Sequence, residues 1–337
     1  MSLKQIAAMT GYSVSTISRV LNDTSSTCAS PETRDKIWAA AREIGYHPNE
    51  AARKLKKPGE SSSDPRTVTI ILARVASLET DPFFLDLFRR LEAELMKQNT
   101  IVDQVLYTEE SLPKNVSDTD GVIILGRSSK KLLDEIRTQS PNIVGIWRNS
   151  MDFDVDEVIC DGETAARLAM DYLLSHGHRQ IAYIGDCSYE SRYIGYCNTL
   201  IQNRISMDYQ LICQTNQTRE EAGKAFEELL AAKTAGKADF SAVFCANDVT
   251  AIRVLEILKG QKKSVRESIS VISIDDIEES QDTKPMLTTI HIPRDEMAHM
   301  AVCLLLDRIS RLHREPIRIE LPCRVIIRDS CYHISHL

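Results

Sequence analysis

Two groups of residues in this chain have the types and spacing for chemistry, and in both cases it is the chemistry of binding. The first lies in Gly11-Tyr12-Ser13-Val14-Ser15-Thr16-Ile17-Ser18-Arg19-Val20-Leu21-Asn22. A helix here would carry Ser15, Thr16, Ser18 and Arg19 on one face, short hydroxyls with one guanidinium, which suit phosphate oxygens and base edges. The members of the second group each follow a short β-rich run: Trp147-Arg148, Arg192, Asn247-Asp248 and Asp275-Asp276. An amide, a carboxylate and a guanidinium converging on one cleft supply the donors and acceptors that a buried polyhydroxylated ligand needs. Taken singly, each also reads as a helix cap or turn residue, Asn-Asp opening a helix above all.

A helical head must present the first group. Leu3, Ile6 and Ala7 make one apolar helical face, Ser2 is placed to cap it with Gln5 three residues on, and Gly11 supplies a tight turn. A second helix opens at Ser13, and the helical spacing of Val14, Ile17, Val20 and Leu21 predicts that all four pack on the first. The third is punctuated by Ser30 as cap, Pro31 at the first position, Glu32 in the first turn and Gly45 beyond the end. Residues 46–55 form a short helix candidate with Pro48 at its start, too short to be stable alone. Spacing alone leaves the head open as a DNA-binding helix–turn–helix or as any small helical bundle.

The second group needs a different frame. Residues 56–66 are a polar linker rich in Pro, Gly and Ser. Short β-rich runs then alternate with amphipathic helices: strands at 68–72, 101–106, 121–125 and 143–147, with helices at 82–98 and 130–138. A second round places strands at 157–160, 181–184, 211–213, 242–246 and 270–274, with helices at 162–175, 191–203, 219–233 and 249–258. This is βαβ grammar, so two Rossmann-like lobes with parallel sheets are expected. Ligands in such folds bind outside the carboxyl ends of strands, where the polar candidates fall.

Charge divides the chain in the same place. Residues 1–58 hold nine basic against five acidic side chains, a net +4, so with −7 overall the remainder carries −11. A basic head on an acidic body fits a protein that touches nucleic acid with one end only. With 43% hydrophobic and 26% charged residues the composition is that of a globular protein. Nine scattered cysteines without a C-x-x-C pair read as reduced core residues of a cytoplasmic protein. No apolar run spans a membrane, and Met1-Ser2-Leu3-Lys4-Gln5 begins a helix instead of a signal peptide. Asp152-x-Asp154-x-Asp156-Glu157 imitates a calcium loop but has Glu157 where the turn needs glycine, and His176-Gly177-His178 lacks a third ligand. With no phosphate loop, dinucleotide fingerprint or nucleophile elbow, neither a metal, nor a cofactor, nor catalysis is expected.

The head also carries a family resemblance. Leu3-Lys4-x-Ile6-Ala7, Val14-Ser15-x-x-x-Ser18-Arg19-Val20-Leu21-Asn22, Glu32-Thr33-Arg34, Gly45-Tyr46-x-Pro48-Asn49 and Ala52-Arg53-x-Leu55 resemble the LacI/GalR family of transcription regulators, and the likeness runs on to about Ser330. The resemblance implies a helix-turn-helix head (1–46), a hinge helix and linker (47–66) and an α/β effector-binding and dimerisation region (67–337) of the periplasmic-binding-protein type. Its N-lobe would comprise about 67–161 and 292–321, its C-lobe about 162–291 and 322–332, with the last segment crossing back between lobes. Val14, Ser15 and Arg19 match base-reading positions. Thr16, Ser18, Asn22 and Thr33 match phosphate contacts, and Asn49, Ala52, Arg53 and Leu55 the hinge segment, whose leucine wedges into the minor groove.

In the body, Arg192-x-x-Gly195-Tyr196, Ala246-Asn247-Asp248 and Ile274-Asp275-Asp276 resemble motifs whose Arg, Asn and first Asp contact the effector. Asp81-Pro82-Phe83-Phe84-Leu85 is similar to galactoside-responsive members, which adds Asp81 and Phe84, although the phenylalanines also suit a helix core. Where several sugar-binding relatives place Asp, this chain has Trp147-Arg148, able to stack on a sugar face or to bind hydroxyls or an anion. The expected protein is a dimeric, cytoplasmic, nucleoid-associated repressor of a pseudo-palindromic operator, controlled by a small sugar or derivative. The tail after Arg328 has no leucine heptads for a coiled-coil tetramer. Two other readings stay open: a solute-binding protein of the periplasmic type, and a regulator whose effector is a partner protein.

Overall fold

Three helices make the head: α1 (Leu3–Thr10), α2 (Val14–Asn22) and α3 (Pro31–Glu43). The computed structural model describes residues 3–22, 29–43, 65–73, 78, 81–107, 116–147, 154–188, 190–262 and 268–334, which fall into two compact units divided between Pro65 and Arg66. Ser2, Gly45, Asn49, Ala52, Arg53, Leu55 and Arg148 lie outside the described residues. Gly11, at φ +76°, makes the turn between α1 and α2, a conformation that costs glycine no Cβ clash. Ser13 Oγ accepts from Thr16 N at 3.1 Å and Ser30 Oγ from Thr33 N at 3.3 Å, capping α2 and α3. Ile6, Ile17, Val20, Leu21, Ile37 and Ala40 fill the core, with Tyr12 and Trp38 at its margin. Val14 departs from the apolar stripe: it is 40% exposed. It is the first residue of α2, and the core is closed by Ile17, Val20 and Leu21 from a turn further along.

The second unit is built on two six-stranded sheets. The first takes β1 (Arg66–Leu72), β2 (Thr100–Tyr107), β3 (Gly121–Leu125), β4 (Ile143–Trp147), β5 (Asp156–Ile159) and, from far along the chain, β11 (Arg318–Glu320). Their order is β11-β5-β4-β3-β1-β2, parallel throughout. The second takes β6 (Ile181–Gly185), β7 (Ile212–Gln214), β8 (Ala242–Cys245), β9 (Ser270–Asp275), β10 (Thr288–His291) and β12 (Arg324–Ile326). Their order is β12-β10-β9-β8-β6-β7, parallel except for the β10/β12 pair. Every residue of β3, β4 and β6 is buried, as it must be where both faces of a parallel sheet are covered.

The helices are α4 (Pro82–Lys97), α5 (Lys130–Arg137), α6 (Gly162–Ser175), α7 (Ser191–Gln202), α8 (Arg219–Thr234), α9 (Asp248–Lys259) and α10 (Arg294–Ile309). The chain passes between the sheets at 160–161, 292–293 and 321–323. The second passage explains why α10, which follows a strand of the second sheet, packs on α4, β3, β4 and β5 of the first. Among the described residues no helix is long and apolar enough to cross a membrane.

The return of the chain to the first sheet is fixed by a buried carboxylate. Asp156, fully buried in β5, accepts from Arg308 through two guanidinium nitrogens, from His313 Nε2 at 2.8 Å and from Ile317 N at 2.8 Å. Burial alone would raise its pKa, but the hydrogen bonds from Arg308, Ile317 and His313 outweigh it and hold the carboxyl below its usual range. A depressed carboxylate stabilises the fold above its unfolded pKa and loses that contribution as pH falls through its folded one. Asp156→Asn should therefore cost roughly 3 kcal/mol or more in urea unfolding at neutral pH, by stranding Arg308. The deficit should shrink as pH is taken below about 4, the unfolded value from which the wild-type carboxylate begins to be protonated. A penalty of equal size at both pH values would mean that the charge is not what matters.

Candidate functional site

The head presents a polar edge at the start of α2. Ser13, Val14 and Ser15 are exposed, as is Arg19 a turn later. Ser13 Oγ lies 2.8 Å from both Ser15 Oγ and Thr16 Oγ1, so the hydroxyls of this first turn form one cluster. Thr33 Oγ1 donates to the Tyr12 hydroxyl at 3.2 Å, which ties the start of α3 to the turn before α2. Two helix N-termini, with outward amides and hydroxyls, thus stand close together, an arrangement suited to phosphate. The backbones of Ser18 and Asn22 lie within α2.

In the body, the structure gathers three of the predicted ligand residues at the carboxyl ends of β8 and β9. Asn247 caps α9, its Oδ1 accepting from Thr250 N at 3.0 Å. Arg192, in the first turn of α7 and 4% exposed, donates to Glu190 Oε1 at 2.8 Å, to the Ala246 carbonyl at 2.6 Å and to Gln217 Oε1 at 3.0 Å. Burial opposes its charge, yet the Glu190 carboxylate, with Asp275 behind it, holds the guanidinium more firmly protonated than usual. Asp275 is buried at the end of β9 with φ +135°, and Asp276 follows at φ +56°. Both are backbone conformations that a non-glycine residue adopts at a cost and only where its surroundings impose them.

Those surroundings include Asp248, which is fully buried. Its Oδ1 accepts from Ser273 and Thr289 hydroxyls at 2.5 and 2.6 Å, and its Oδ2 accepts from Ile277 N at 2.9 Å. Burial first, and then the neighbouring Asp275 charge, push the Asp248 carboxyl up to about 7 despite these hydrogen bonds. Asp276 goes the other way. Burial is outweighed by hydrogen bonds from His291 Nδ1 at 2.8 Å and Arg328 Nη2 at 2.6 Å, which bring its carboxyl down to about 2.

Arg294, which the sequence reading missed, joins this cluster to the other sheet. Opening α10 and 7% exposed, it donates to the carbonyls of Asp275 and Asp276 and, at 2.7 Å, to Asp86 Oδ2 on α4. Its guanidinium carbon also stands 5.5 Å from the ring centre of Phe83. The signal available from sequence was weak: an arginine directly after a strand and a proline, far in the chain from both partners. Asp81 caps α4, its Oδ1 accepting from Phe83 N at 3.1 Å and Phe84 N at 3.2 Å. Phe84 is half-buried beside Gly126, the residue that follows β3.

Trp147, expected at the ligand wall, lies among apolar side chains of the first sheet. Its ring is 3% exposed in the core with Ile71, Val122 and Leu133, folds back over Gly145, and donates from Nε1 to Glu157 Oε2 at 2.6 Å. Gly145, with no Cβ, leaves the room that the ring fills.

Among the described residues no group of three His, Cys, Asp or Glu side chains is placed to hold a metal ion. Residues 2–49 match the model of bacterial regulatory proteins of the lacI family, and residues 170–331 match that of a periplasmic binding protein-like domain. The HTH-type transcriptional repressor CytR of Escherichia coli (strain K12) is 30% identical, the match covering 98% of this chain and 96% of that protein. A LacI family transcriptional regulator from Enterococcus faecium, solved with bound ribose, superposes with a TM-score of 0.69 at 26% identity, over 80% of this chain and all of that one. The lac repressor dimer bound to operator and an anti-inducer shares the fold at 21% identity and a TM-score of 0.65, over 98% of this chain and 99% of that one.

The Asp248–Asp275 pair yields a pH test. A carboxyl whose folded pKa is raised stabilises the fold fully below its unfolded value, near 4, and loses that contribution as pH rises through about 7. The urea stability of the wild type should therefore fall relative to Asp248→Asn between about pH 4 and pH 8. Parallel pH profiles for the two proteins would show that Asp248 is ionised throughout.

Proposed function

The chain belongs to the lacI family of bacterial regulatory proteins, and from that premise we propose that it is a non-catalytic, dimeric, cytoplasmic repressor of a pseudo-palindromic operator, released by a small neutral sugar or sugar derivative, galactosides included. The reading rests on one combination: a head that exposes Val14, Ser15 and Arg19 on the start of a helix, and a body that collects Arg192, Asn247 and Asp275 at the carboxyl ends of parallel strands. The head supplies DNA affinity and the body supplies control. A solute-binding protein would need only the second.

In this reading residues 1–46 bind the major groove and 47–66 form hinge helix and linker. Residues 67–161 with 292–321, and 162–291 with 322–332, are lobes that close on the effector. Val14, Ser15 and Arg19 read bases; Thr16, Ser18, Asn22 and Thr33 hold phosphates; Asn49, Ala52 and Arg53 extend the contact, and Leu55 wedges into the minor groove at a cost in unstacking that closer contact offsets. Arg192, Asn247 and Asp275 face the ligand from one lobe and Phe84 from the other, with Asp81 setting the start of α4 and Arg148 available beyond β4.

Electrostatics favours an uncharged ligand. The guanidiniums of Arg192, Arg294 and Arg328 are matched by the carboxylates of Glu190, Asp86 and Asp276. A hydroxylated neutral molecule would displace none of these pairs, whereas an anion would compete with them for the same donors.

Three measurements check the proposal. Exchanging Val14-Ser15 for another pair should change the operator recovered by binding-site selection, each altered base contact being worth roughly 1–3 kcal/mol; recovery of the same operator would remove these residues from recognition. A thermal-shift screen of galactose, lactose, other sugars, sugar phosphates and purines should identify the effector, because a ligand of the native state raises Tm. With that ligand, Asp275→Ala should lose about 2 kcal/mol or more of effector binding while operator affinity without ligand stays near wild type. A variant still released at the wild-type effector concentration would take Asp275 out of the sensor.

A further inference from the structure

Cys160 and Cys323 stand on two of the three passages between the sheets. Cys160 lies between β5 and α6, on the first passage, and Cys323 lies between β11 and β12, on the third. These passages run side by side. The parallel β5/β11 ladder pairs Ile159 with Glu320, and one residue on Leu321 N donates to the Ile159 carbonyl at 2.9 Å. Cys160 is 1% exposed, Cys323 is half-buried, and both pack on the same apolar cluster. The two thiols are in hydrogen-bond contact, and neither is in a disulfide.

We propose that Cys160 and Cys323 are an oxidisable thiol pair, and that their disulfide, formed by a hydroperoxide, staples the hinge of the regulatory unit. The contact with Cys160, more than any other influence, lowers the pKa of the Cys323 thiol, whereas burial raises those of Cys187, Cys197, Cys213, Cys245, Cys303 and Cys331. Cys323 is thus both more readily ionised than these and reachable from solvent, as a first-attacking thiolate must be. Its sulfur attacks one peroxide oxygen; an S–O bond forms, the O–O bond breaks, and hydroxide leaves to be protonated to water. The Cys160 sulfur, giving up its proton, then attacks the sulfenic sulfur; the S–S bond forms, the S–O bond breaks, and the second water leaves. Two thiols lose two electrons and one hydrogen peroxide becomes two waters.

The consequence is mechanical. Lobe rotation requires the passages between the sheets to change their backbone angles, and a covalent bond from the first to the third removes that freedom. Neither step consumes Arg192, Asn247 or Asp275, so the chemistry does not depend on the identity of the effector.

The full chain, titrated with hydrogen peroxide and digested without reduction, should yield a peptide pair joined through Cys160 and Cys323, lighter by two hydrogens. In Cys160→Ser a dimedone probe should trap sulfenic acid on Cys323, whereas Cys323→Ser should give neither cross-link nor adduct at Cys160. Hydrogen–deuterium exchange of the oxidised wild type should slow at Asp161, Ile292 and Leu321 and recover with dithiothreitol, with no change in Cys323→Ser. Peroxide that modifies Cys187 or Cys303 while leaving Cys160 and Cys323 reduced would overturn the pair. A cross-link that leaves exchange at Ile292 unaltered would overturn the staple.

Discussion

One buried guanidinium sets the relation between the two sheets on the side where a ligand would act. Arg294 sits on a helix that packs on the first sheet, yet two of its nitrogens serve carbonyls at the end of the second and its Nε serves a carboxylate on α4. Burying such a cation is tolerable only if its donors are used, so the acceptors must come to it. The carbonyls of Asp275 and Asp276 do so from a turn in which both residues have positive φ. The unusual backbone and the buried charge therefore stabilise each other. The turn orients the Asp275 carboxylate, so the geometry of that group is coupled to the position of α4 on the opposite sheet.

The same logic of partnered burial explains what the sequence could and could not convey. Strands such as β3, β4 and β6 were legible because burial on both faces leaves continuous apolar runs, and α9 because Asn247 caps it in the way an Asn-Asp pair before apolar periodicity predicts. The caps at Ser13 and Ser30 belong to the same class of local signal. Local pattern failed where the outcome depended on a partner distant in the chain. Val14 keeps the helical spacing of a core residue, but whether a first-turn side chain is covered depends on where the other two helices end. Trp147 follows a strand as a ligand-wall residue would; its ring lies inward because Gly145 leaves space and Glu157, on the neighbouring strand, accepts its N–H. Arg294 has only a weak local signature because its partners Asp86, Asp275 and Asp276 all lie far from it in the chain or across a turn.

Capping and ligand contact need not exclude one another, and the carboxyl end of the second sheet shows how they combine. Asn247 uses Oδ1 to hold α9, and its Nδ2 lies 3.5 Å from the Gln217 carbonyl, while the Gln217 side chain engages Arg192. Each polar group that would face a ligand is thus oriented by a neighbour before any ligand arrives. Preorganisation of this kind reduces the entropy that binding must overcome. It also means that a substitution at Gln217 or Glu190 would act on binding by misdirecting Arg192, without removing a contact of its own.

Charge in this region is balanced so closely that a ligand's effect would reach beyond the atoms it touches. Asp248 and Asp275 are both buried and close enough for one to raise the pKa of the other, while Asp275 in turn helps hold the Arg192 guanidinium protonated. Two neighbouring buried carboxyls resist ionising together, and burial with the Asp275 charge raises the pKa of the one enclosed by Ser273, Thr289 and Ile277. Hydroxyls donated to Asp275 would spread its negative charge, ease the repulsion felt by Asp248 and lower that group's pKa from about 7. Ligand and proton would then oppose each other, although the two occupy different carboxylates. Asp248 also accepts from Ile277 N, in the loop that follows Asp276, so loss of its proton would alter a hydrogen bond in the backbone that Arg294 holds against α4. A local exchange of hydrogen bonds at one aspartate would in this way be transmitted, through a second aspartate and one arginine, to the opposing lobe.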